Sequence, residues 1–514
     1  MSNIKIKKMK YKILKLFLFL FLISCNSNRD DIIISTSSIE LSISSFTTTS
    51  VNLNYNLNNT SGEKYLIYSK FENLDLQNFE KKVLLTNLNN IEINNLVPNT
   101  KYYFKISYTE NNSVKYSNVV SAITKEFSFS VLLDKNIGLT PETGSFIYLM
   151  DSELDISKTN IYLLTRQIQQ YPTEVKKITL HKIDLNGNLL WSKLIQDSNS
   201  PSVNVNYNGH KIQFLSDQNI AVITGKFDQK ATIITKINPN NGNEIWKKEF
   251  PLINADGYQS NTIFGYSYQN NVMKIITGPG DWHNSEEIFI SNDGNIISQR
   301  TIIQNPNNHA IMNGKYLNDG SLISVWAQNQ YPQNGTWTVE GCIRKFDLSS
   351  SISNTTWSKF YGDYGGDDGF QNYLLKDNNI YVQGFYGGNS GFVDPQKWIL
   401  KLDMNGEILW QNKQPSRTDF IYEGRDIKID DNNELFCLMH EIYYPNYNAY
   451  DYTSLTKFDS NGNLIWIWKS APDFNTERFS SNKVFETNNN EFMITGDKSS
   501  GVGSIWIKKI KVVN

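Results

Sequence analysis

Cysteine is scarce in this 514-residue chain, with three copies, and histidine is hardly commoner, with five. Three cysteines cannot staple a small disulfide scaffold. The histidines, His181, His210, His283, His309 and His440, show no H-E-x-x-H spacing, so no zinc-protease helix is written here. Also missing are the G-x-S-x-G turn of a serine hydrolase and the glycine-rich loop that cradles phosphates. Neither charge is in excess, since 49 Lys and Arg stand against 51 Asp and Glu for a net charge of -2. A polyanion binder carries a basic surplus, so nucleic acid is not an expected partner. Aromatics are not lacking: they make up 13% of the chain, with 28 tyrosines, enough to fill cores rather than leave the chain disordered.

One apolar run stands out, "LFLFLFLI" at Leu16 to Ile23, behind Lys5, Lys7, Lys8, Lys10, Lys12 and Lys15. Eight residues are too short to stay in a bilayer as a helix but suit the core of a signal peptide. The run ends in "LISC", Leu22 to Cys25, which resembles the bacterial lipobox. That resemblance implies that Cys25 is lipidated and becomes the mature N-terminus, and several acyl chains on one residue anchor stably. The following "NSNRDD" resembles the surface-export signal of Bacteroidota lipoproteins. Residues 1–25 are therefore expected to be a lipoprotein signal peptide and 26–31 a tether. The expected place is the bacterial outer membrane, with inner or surface leaflet open.

Residues 32–126 read as short strands of period-two alternation, as in "SVNLNYNL" (Ser50 to Leu57) and "KYYFKISYTE" (Lys101 to Glu110). The run "NLVPNTKYYFKI" followed by "YSNVVSAIT" resembles a fibronectin type III domain, with Leu96, Pro98, Thr100 and Tyr102 in the L-x-P-x-T-x-Y pattern. The resemblance implies a small β-sandwich. In it Tyr102 would be the corner tyrosine whose hydroxyl bonds the chain just upstream. It departs from the family in offering Tyr55 where an early core strand usually has Trp. Such a module is a spacer or an adhesive surface, and spacer is the reading preferred.

The remainder repeats itself. "KIDLNGNLLW" (Lys182 to Trp191) returns as "KLDMNGEILW" (Lys401 to Trp410) and "KFDSNGNLIW" (Lys457 to Trp466). Degenerate copies are "TKINPNNGNEIW" (Thr235 to Trp246), "RKFDLSSSISNTTW" (Arg344 to Trp357) and "FISNDGNIIS" (Phe289 to Ser298), which lacks the Trp. Trp191 and Trp246 are 55 residues apart, Trp357 and Trp410 are 53 apart, and Trp410 and Trp466 are 56 apart. Two strand-like runs precede each copy, so each unit is four strands, and four strands repeated near this period make a β-propeller. A partial unit, "KVFET", "EFMITGD" and "SIWIKKIKVV", ends the chain, and "EFSFSVLLDK" (Glu126 to Lys135) is expected to supply its outer strand. The expectation is an all-β protein: the sandwich, then a seven-bladed propeller of four-stranded blades over 127–514, closed by an N-terminal strand. The repeat resembles bacterial lipoprotein propellers with quinoprotein-like, Trp-docked blades. Cys342 and Cys437 fall two blades apart, too far for a disulfide that needs Cα atoms within about 7 Å. Both are expected as buried thiols.

Repetition identifies a fold better than an activity. Asp184, Asn186 and Asn188 alternate as in a calcium loop, but the Gly and Glu of that loop are misplaced, so a tight turn is expected. "GDYGGDDG", with Asp363, Asp367 and Asp368, is read as a structured crossing loop rather than a metal site. The vicinal cysteines of quinone alcohol dehydrogenases are absent, so neither metal nor cofactor is expected. His181 reads as a packed strand residue. The loops joining second and third strands are aromatic-rich and should open on one face. They gather Trp282, Tyr331, Trp337, Tyr386, Tyr443, Tyr444 and Tyr447 as a candidate ligand platform. The expected function is non-catalytic binding or adhesion, with an envelope protein or a glycan as partner and the membrane reached through the lipid. The alternatives are a propeller enzyme acting on glycans, as lyase or hydrolase, and a scaffold in outer-membrane assembly. An acid/base pair beside the channel would favour the enzyme.

Overall fold

The computed structural model describes residues 39–57, 62–86, 89–110, 112–139, 145–169, 175–198, 210–226, 231–253, 261–279, 284–303, 313–330, 338–349, 354–362, 368–387, 395–414, 420–443, 450–470, 479–498 and 504–513. Every element among them is a β-strand, and none is a helix long and apolar enough to cross a membrane. Cys25 lies outside the described residues. The chain divides into two compact units, Met1–Glu126 and Phe127–Asn514.

In the first unit, Leu41–Phe46, Val51–Tyr55 and Asn90–Ile93 form one antiparallel sheet. A second sheet is built from Lys81–Leu84, Lys64–Ser69, Lys101–Glu110 and Ser113–Tyr116, with Val120–Ile123 also paired to Lys101–Glu110. Alternation sorts the side chains: Val51, Leu53 and Tyr55 are buried while Asn54 faces solvent. One core joins the two sheets, with Leu53 and Ile39 from one side meeting Leu66 and Phe104 from the other. The Val97 N–H donates to Tyr102 Oη at 3.0 Å, fixing the corner before the longest strand. Tyr55 is buried and donates its hydroxyl to Asn90 O at 2.9 Å, so a tyrosine fills this core position with its polar end satisfied.

Among the described residues, the second unit contains seven four-stranded antiparallel sheets, counting one eight-stranded sheet as two. Sheets 1 to 6 cover residues 145–198, 211–251, 261–303, 314–361, 369–413 and 420–469. Sheet 7 takes its first three strands from 479–513, and its fourth is Ser128–Ile137, antiparallel to Ser504–Val513. A single parallel bridge, Gly265 to Gly314, links sheets 3 and 4. The second strand of sheet 2 is covered on both faces: all six residues of Ile220–Gly225 are buried. Fourth strands alternate, as in Asn354–Tyr361, because only one face is covered.

The recurrent ten residues fold the same way each time. Asp184 Oδ1 accepts from the amides of Asn186 and Asn188 at 2.9 and 2.8 Å, and Asp403 and Asp459 do the same in sheets 5 and 6. The aspartate oxygen closes the turn by accepting these two amides. The glycine and the tryptophan form a pair across sheets. Trp191 lies against Gly242, Trp246 against Gly294, Trp357 against Gly406 and Trp410 against Gly462. Each of these glycines has a positive φ, and a Cβ at Gly462 would sit 2.5 Å from the Trp410 ring. One sheet's indole therefore roofs the next sheet's turn. The copy without Trp, ending at Ser298, is followed by the copy without Gly, "DLSSSIS", so the two losses fall on one junction. Gly462→Ala should destabilise by about 2–4 kcal/mol through left-handed strain plus the indole contact. Gly138→Ala, with open space around it, should change stability by less than about 0.5 kcal/mol. Equal thermal shifts in the two variants would disprove the docking account.

Each core cluster of the unit lies between consecutive sheets. Tyr162 and Ile178 of sheet 1 meet Val222 of sheet 2, and Leu438 and Trp466 of sheet 6 meet Phe492 and Ile494 of sheet 7. The last cluster joins Met493 and Ile505 of sheet 7 to Ile147 and Leu163 of sheet 1, so the packing runs in a closed circle. Cys342 in sheet 4 and Cys437 in sheet 6 are buried and form no disulfide with each other, and burial pushes the Cys437 pKa up.

Candidate functional site

The strand Leu435–Tyr443, "LFCLMHEIY", is an apolar run buried as far as Glu441 and interrupted by two ionisable residues near its end. That end, where the second strand turns into the third, carries the densest ionic chemistry of the described residues. Glu441 is fully buried and sits between two lysines. Lys397 of sheet 5 pairs with its Oε1, and Lys469 of sheet 6 reaches Oε2 at 2.8 Å. Burial alone would raise the Glu441 pKa, but Lys397 and Lys469 outweigh it and hold it at about 2. Lys397 also donates to Ser454 Oγ at 3.0 Å.

His440, one residue earlier, faces the other side of the strand. Its Nδ1 is 3.1 Å from Glu423 Oε2 and its Nε2 is 3.3 Å from Asp451 Oδ1. Arg425 closes the group, paired with Glu423 and 3.3 Å from His440 Nδ1. Burial works to lower the His440 pKa, yet the two carboxylates raise it above its ordinary value. The two carboxylates thus favour the protonated ring more than it is favoured in a free histidine. The hydrogen bond from His440 lowers the Glu423 pKa, and Arg425 adds to that. Asp497, from sheet 7, goes the other way: burial raises its pKa to about 6, with Arg425 and His440 pulling against the rise. Two carboxyls of one cluster are pushed apart in acidity, the pattern that separates an acid from a base.

Beside these charges stands a set of rings. Phe420 stacks on Tyr443 with centroids 4.7 Å apart, and Tyr422 and Tyr452 lie 6.0 and 6.1 Å from Phe420. Tyr450 is 6.2 Å from Tyr443. Tyr443, Tyr450 and Tyr452 are half-buried, so each ring keeps part of its surface in water.

Of the seven aromatic residues expected to gather on this side, Trp282, Tyr331, Trp337, Tyr444 and Tyr447 lie outside the described residues. Tyr443 belongs to the ring set. Tyr386 packs within sheet 5, edge-on to Trp398 at 5.1 Å, with Lys413 Nζ 3.0 Å from its ring centroid. These two described members are in different sheets. Asp363 and Asp367 are outside the described residues, while Asp368 Oδ1 accepts from the Gly387 N–H at 2.6 Å. His181 lies between Thr165 Oγ1 at 2.9 Å and Ser192 Oγ at 2.7 Å, and burial lowers its pKa to about 4, so it is a neutral packed residue. The Glu423–Arg425–His440–Asp451–Asp497 cluster was missed in the sequence because its members come from four strands. The legible trace was the "HE" pair inside a covered apolar strand.

No family model and no curated protein sequence matches the chain. Similar solved structures include the WD40 domain of SCAP from fission yeast, at 7% identity over 75% of this chain and 90% of that one, TM-score 0.33. A protein from Lactobacillus plantarum is similar at 10% identity over 80% and 96%, TM-score 0.39. Polysaccharide lyase Uly1 is similar at 10% identity over 59% and 90%, TM-score 0.34. The all-β, many-sheeted architecture stands on the strand pairing itself.

Proposed function

We propose that this chain is a lipid-anchored envelope protein in which a fibronectin type III module carries a seven-bladed β-propeller, and that the propeller binds a glycan without turning it over. The circular packing of the seven sheets and the return of Ser128–Ile137 to the last of them support the propeller. The shared core of two sheets and the Val97–Tyr102 hydrogen bond support the module. The outer-membrane location and the lipid on Cys25 rest on the sequence signal. Labelled palmitate should enter the wild type and not Cys25→Ala, and incorporation that persists in the variant would remove the anchor.

The observation that carries the binding reading is the juxtaposition of half-buried rings, Tyr443, Tyr450 and Tyr452, with a charged cluster at the same end of sheet 6. Sugars present C–H faces that stack on rings and hydroxyls that bond carboxylates and guanidinium groups. A glycan array followed by calorimetry tests this. Tyr452→Ala and Tyr443→Ala should each cost about 1–3 kcal/mol of affinity for the selected glycan. No bound glycan on the array, together with capture of one envelope protein from native membranes, would transfer the surface to a protein partner.

A second reading, a glycan lyase or hydrolase, draws on Asp497 and Glu423. With Asp497 at about 6 as acid and Glu423 lowered as base, activity would need Asp497 protonated and would fall as pH rises past about 6. Release of reducing ends from a bound polysaccharide, lost in Asp497→Asn, would establish it. Bound polysaccharide left intact from pH 4 to 8 would exclude it.

A further inference from the structure

A cavity of about 290 Å³, partly open to solvent, is lined jointly by sheets 6, 7 and 1. It lies at the end of the sheets where first strands turn into second strands. In sheet 6 that end is marked by Ile429 opposite Leu435, and the far end by Phe420 opposite Tyr443. In sheet 7 it is marked by Asn488 opposite Glu491. Both faces of the strand Phe479–Asn488 reach the cavity. Val484 belongs to the core shared with sheet 6, and Phe485 to the core shared with sheet 1, and both residues line the cavity.

The buried wall is apolar and mostly aromatic: Phe436, Val484, Phe485 and Phe492 are each at most 6% exposed. A cavity of roughly 150 Å³ admits benzene. At about 290 Å³ this one has room for a ring with a short chain. Its rings already stand near cations. Lys428 Nζ lies 5.8 Å from the Phe485 centroid, and Lys457 Nζ lies 4.9 Å from the Phe436 centroid.

The polar lining holds three carboxylates, Glu153, Asp430 and Glu486, against one ammonium, that of Lys428. Glu153 is paired with Lys483. Asp430 accepts from the amides of Asn432 and Glu434 at 2.9 Å each and has Lys457 at 3.6 Å. Glu486 is different. It is half-buried, and among the described residues it has neither an ion pair nor a hydrogen bond. Lys428 does not neutralise it. Its Nζ is 3.7 Å from Asp426 Oδ2, and its side chain is 41% exposed. A half-buried carboxylate beside aromatic rings favours a cation twice, through the charge-assisted hydrogen bond and through the ring faces.

We propose that this cavity binds a small organic cation, a primary ammonium carried on an apolar group the size of a single ring. Glu486 accepts from the ammonium, and Phe436, Val484, Phe485 and Phe492 cover the apolar part. A cation rather than an anion follows from the excess of carboxylates in the lining. Lys428 is the one repelling group there, so its removal should tighten binding. The inference is independent of the glycan reading, because Tyr443 and Tyr450 pair at the opposite end of sheet 6.

The test uses the full chain, with phenethylammonium chloride as probe. Sodium 3-phenylpropionate, similar in shape and opposite in charge, serves as reference. Calorimetry at neutral pH should give a saturable one-to-one isotherm with the ammonium and none with the carboxylate. Glu486→Gln should weaken binding of the ammonium about 10-fold or more, by removing the charged acceptor. Lys428→Gln should strengthen it about 3-fold or more, by removing the like charge. Opposite signs at two partly exposed positions do not arise from misfolding. Tyr443→Ala should leave the isotherm unchanged. The proposal is overturned by a wild type without saturable binding, by the carboxylate binding as tightly as the ammonium, or by binding that Tyr443→Ala rather than Glu486→Gln abolishes. Binding left intact by Glu486→Gln overturns it equally.

Discussion

A chain starting at Phe127 should fold and melt as one cooperative unit, whereas one starting at Gly138 should be largely aggregated. The second lacks Ser128–Ile137, the outer strand of sheet 7. Its loss uncovers the hydrogen-bonding edge of Ser504–Val513 and takes Ile137 from the core that joins sheet 7 to sheet 1, where Ile137 packs with Ile161, Ile183 and Ile505. Burial of one such isoleucine alone is worth about 1.5–3 kcal/mol. A newly bared edge is also a template for pairing with another chain. Size-exclusion profiles and melting curves of the two proteins decide the matter. If both remain monomeric with melting temperatures within about 2 °C, the strand is dispensable and the ring does not depend on it.

Glu441→Gln should cost about 3–5 kcal/mol, a large effect for a change that preserves shape. The reason is the charge left behind. Lys397 has a side chain only 5% exposed and would keep its ammonium in the interior with its ionic partner gone. Lys469 is 29% exposed and can turn toward water. Replacing both members, as Glu441→Leu with Lys397→Met, should recover most of the loss, because an apolar pair needs no solvation. Failure of the double variant to recover would move the cost from electrostatics to packing. The pH dependence has a definite sign. The folded pKa of Glu441 lies at about 2, below its unfolded value, so its contribution is whole above pH 4.5 and fades as pH falls toward 2. The contribution is roughly 3 kcal/mol, and the Glu441→Gln variant should lose less stability on acidification than the wild type.

Strand identity was written locally and could be read. "VNLNY" alternates because one side of a strand faces a core, and Val51–Tyr55 buries its first, third and fifth residues. "DLNGN" specifies a turn because the aspartate can accept two amides and the glycine can take φ of 71°. The tryptophans announced contact between units. Nothing in one unit's sequence said that the contact would be the glycine of the next unit's turn, because that needs two sheets set side by side. The two thiols were legible as well, since a position in the repeat fixes which sheet a residue occupies.

Chemistry was less legible, for the same reason in each case. The expected platform rested on ring-bearing loops, and of its described members Tyr443 joins a stack with Phe420 while Tyr386 is packed onto Trp398. Composition of a loop does not say which rings turn inward. By itself, the sequence determined the all-β character, the repeat and the turns, because each depends on neighbours along the chain. Only the tertiary structure decided that Glu423, Arg425, His440, Asp451 and Asp497 form one cluster. Residues separated by tens of positions meet there because the sheets pack in a circle. Their acidity is set by burial and by each other's charges, quantities that have no value until the chain has closed on itself.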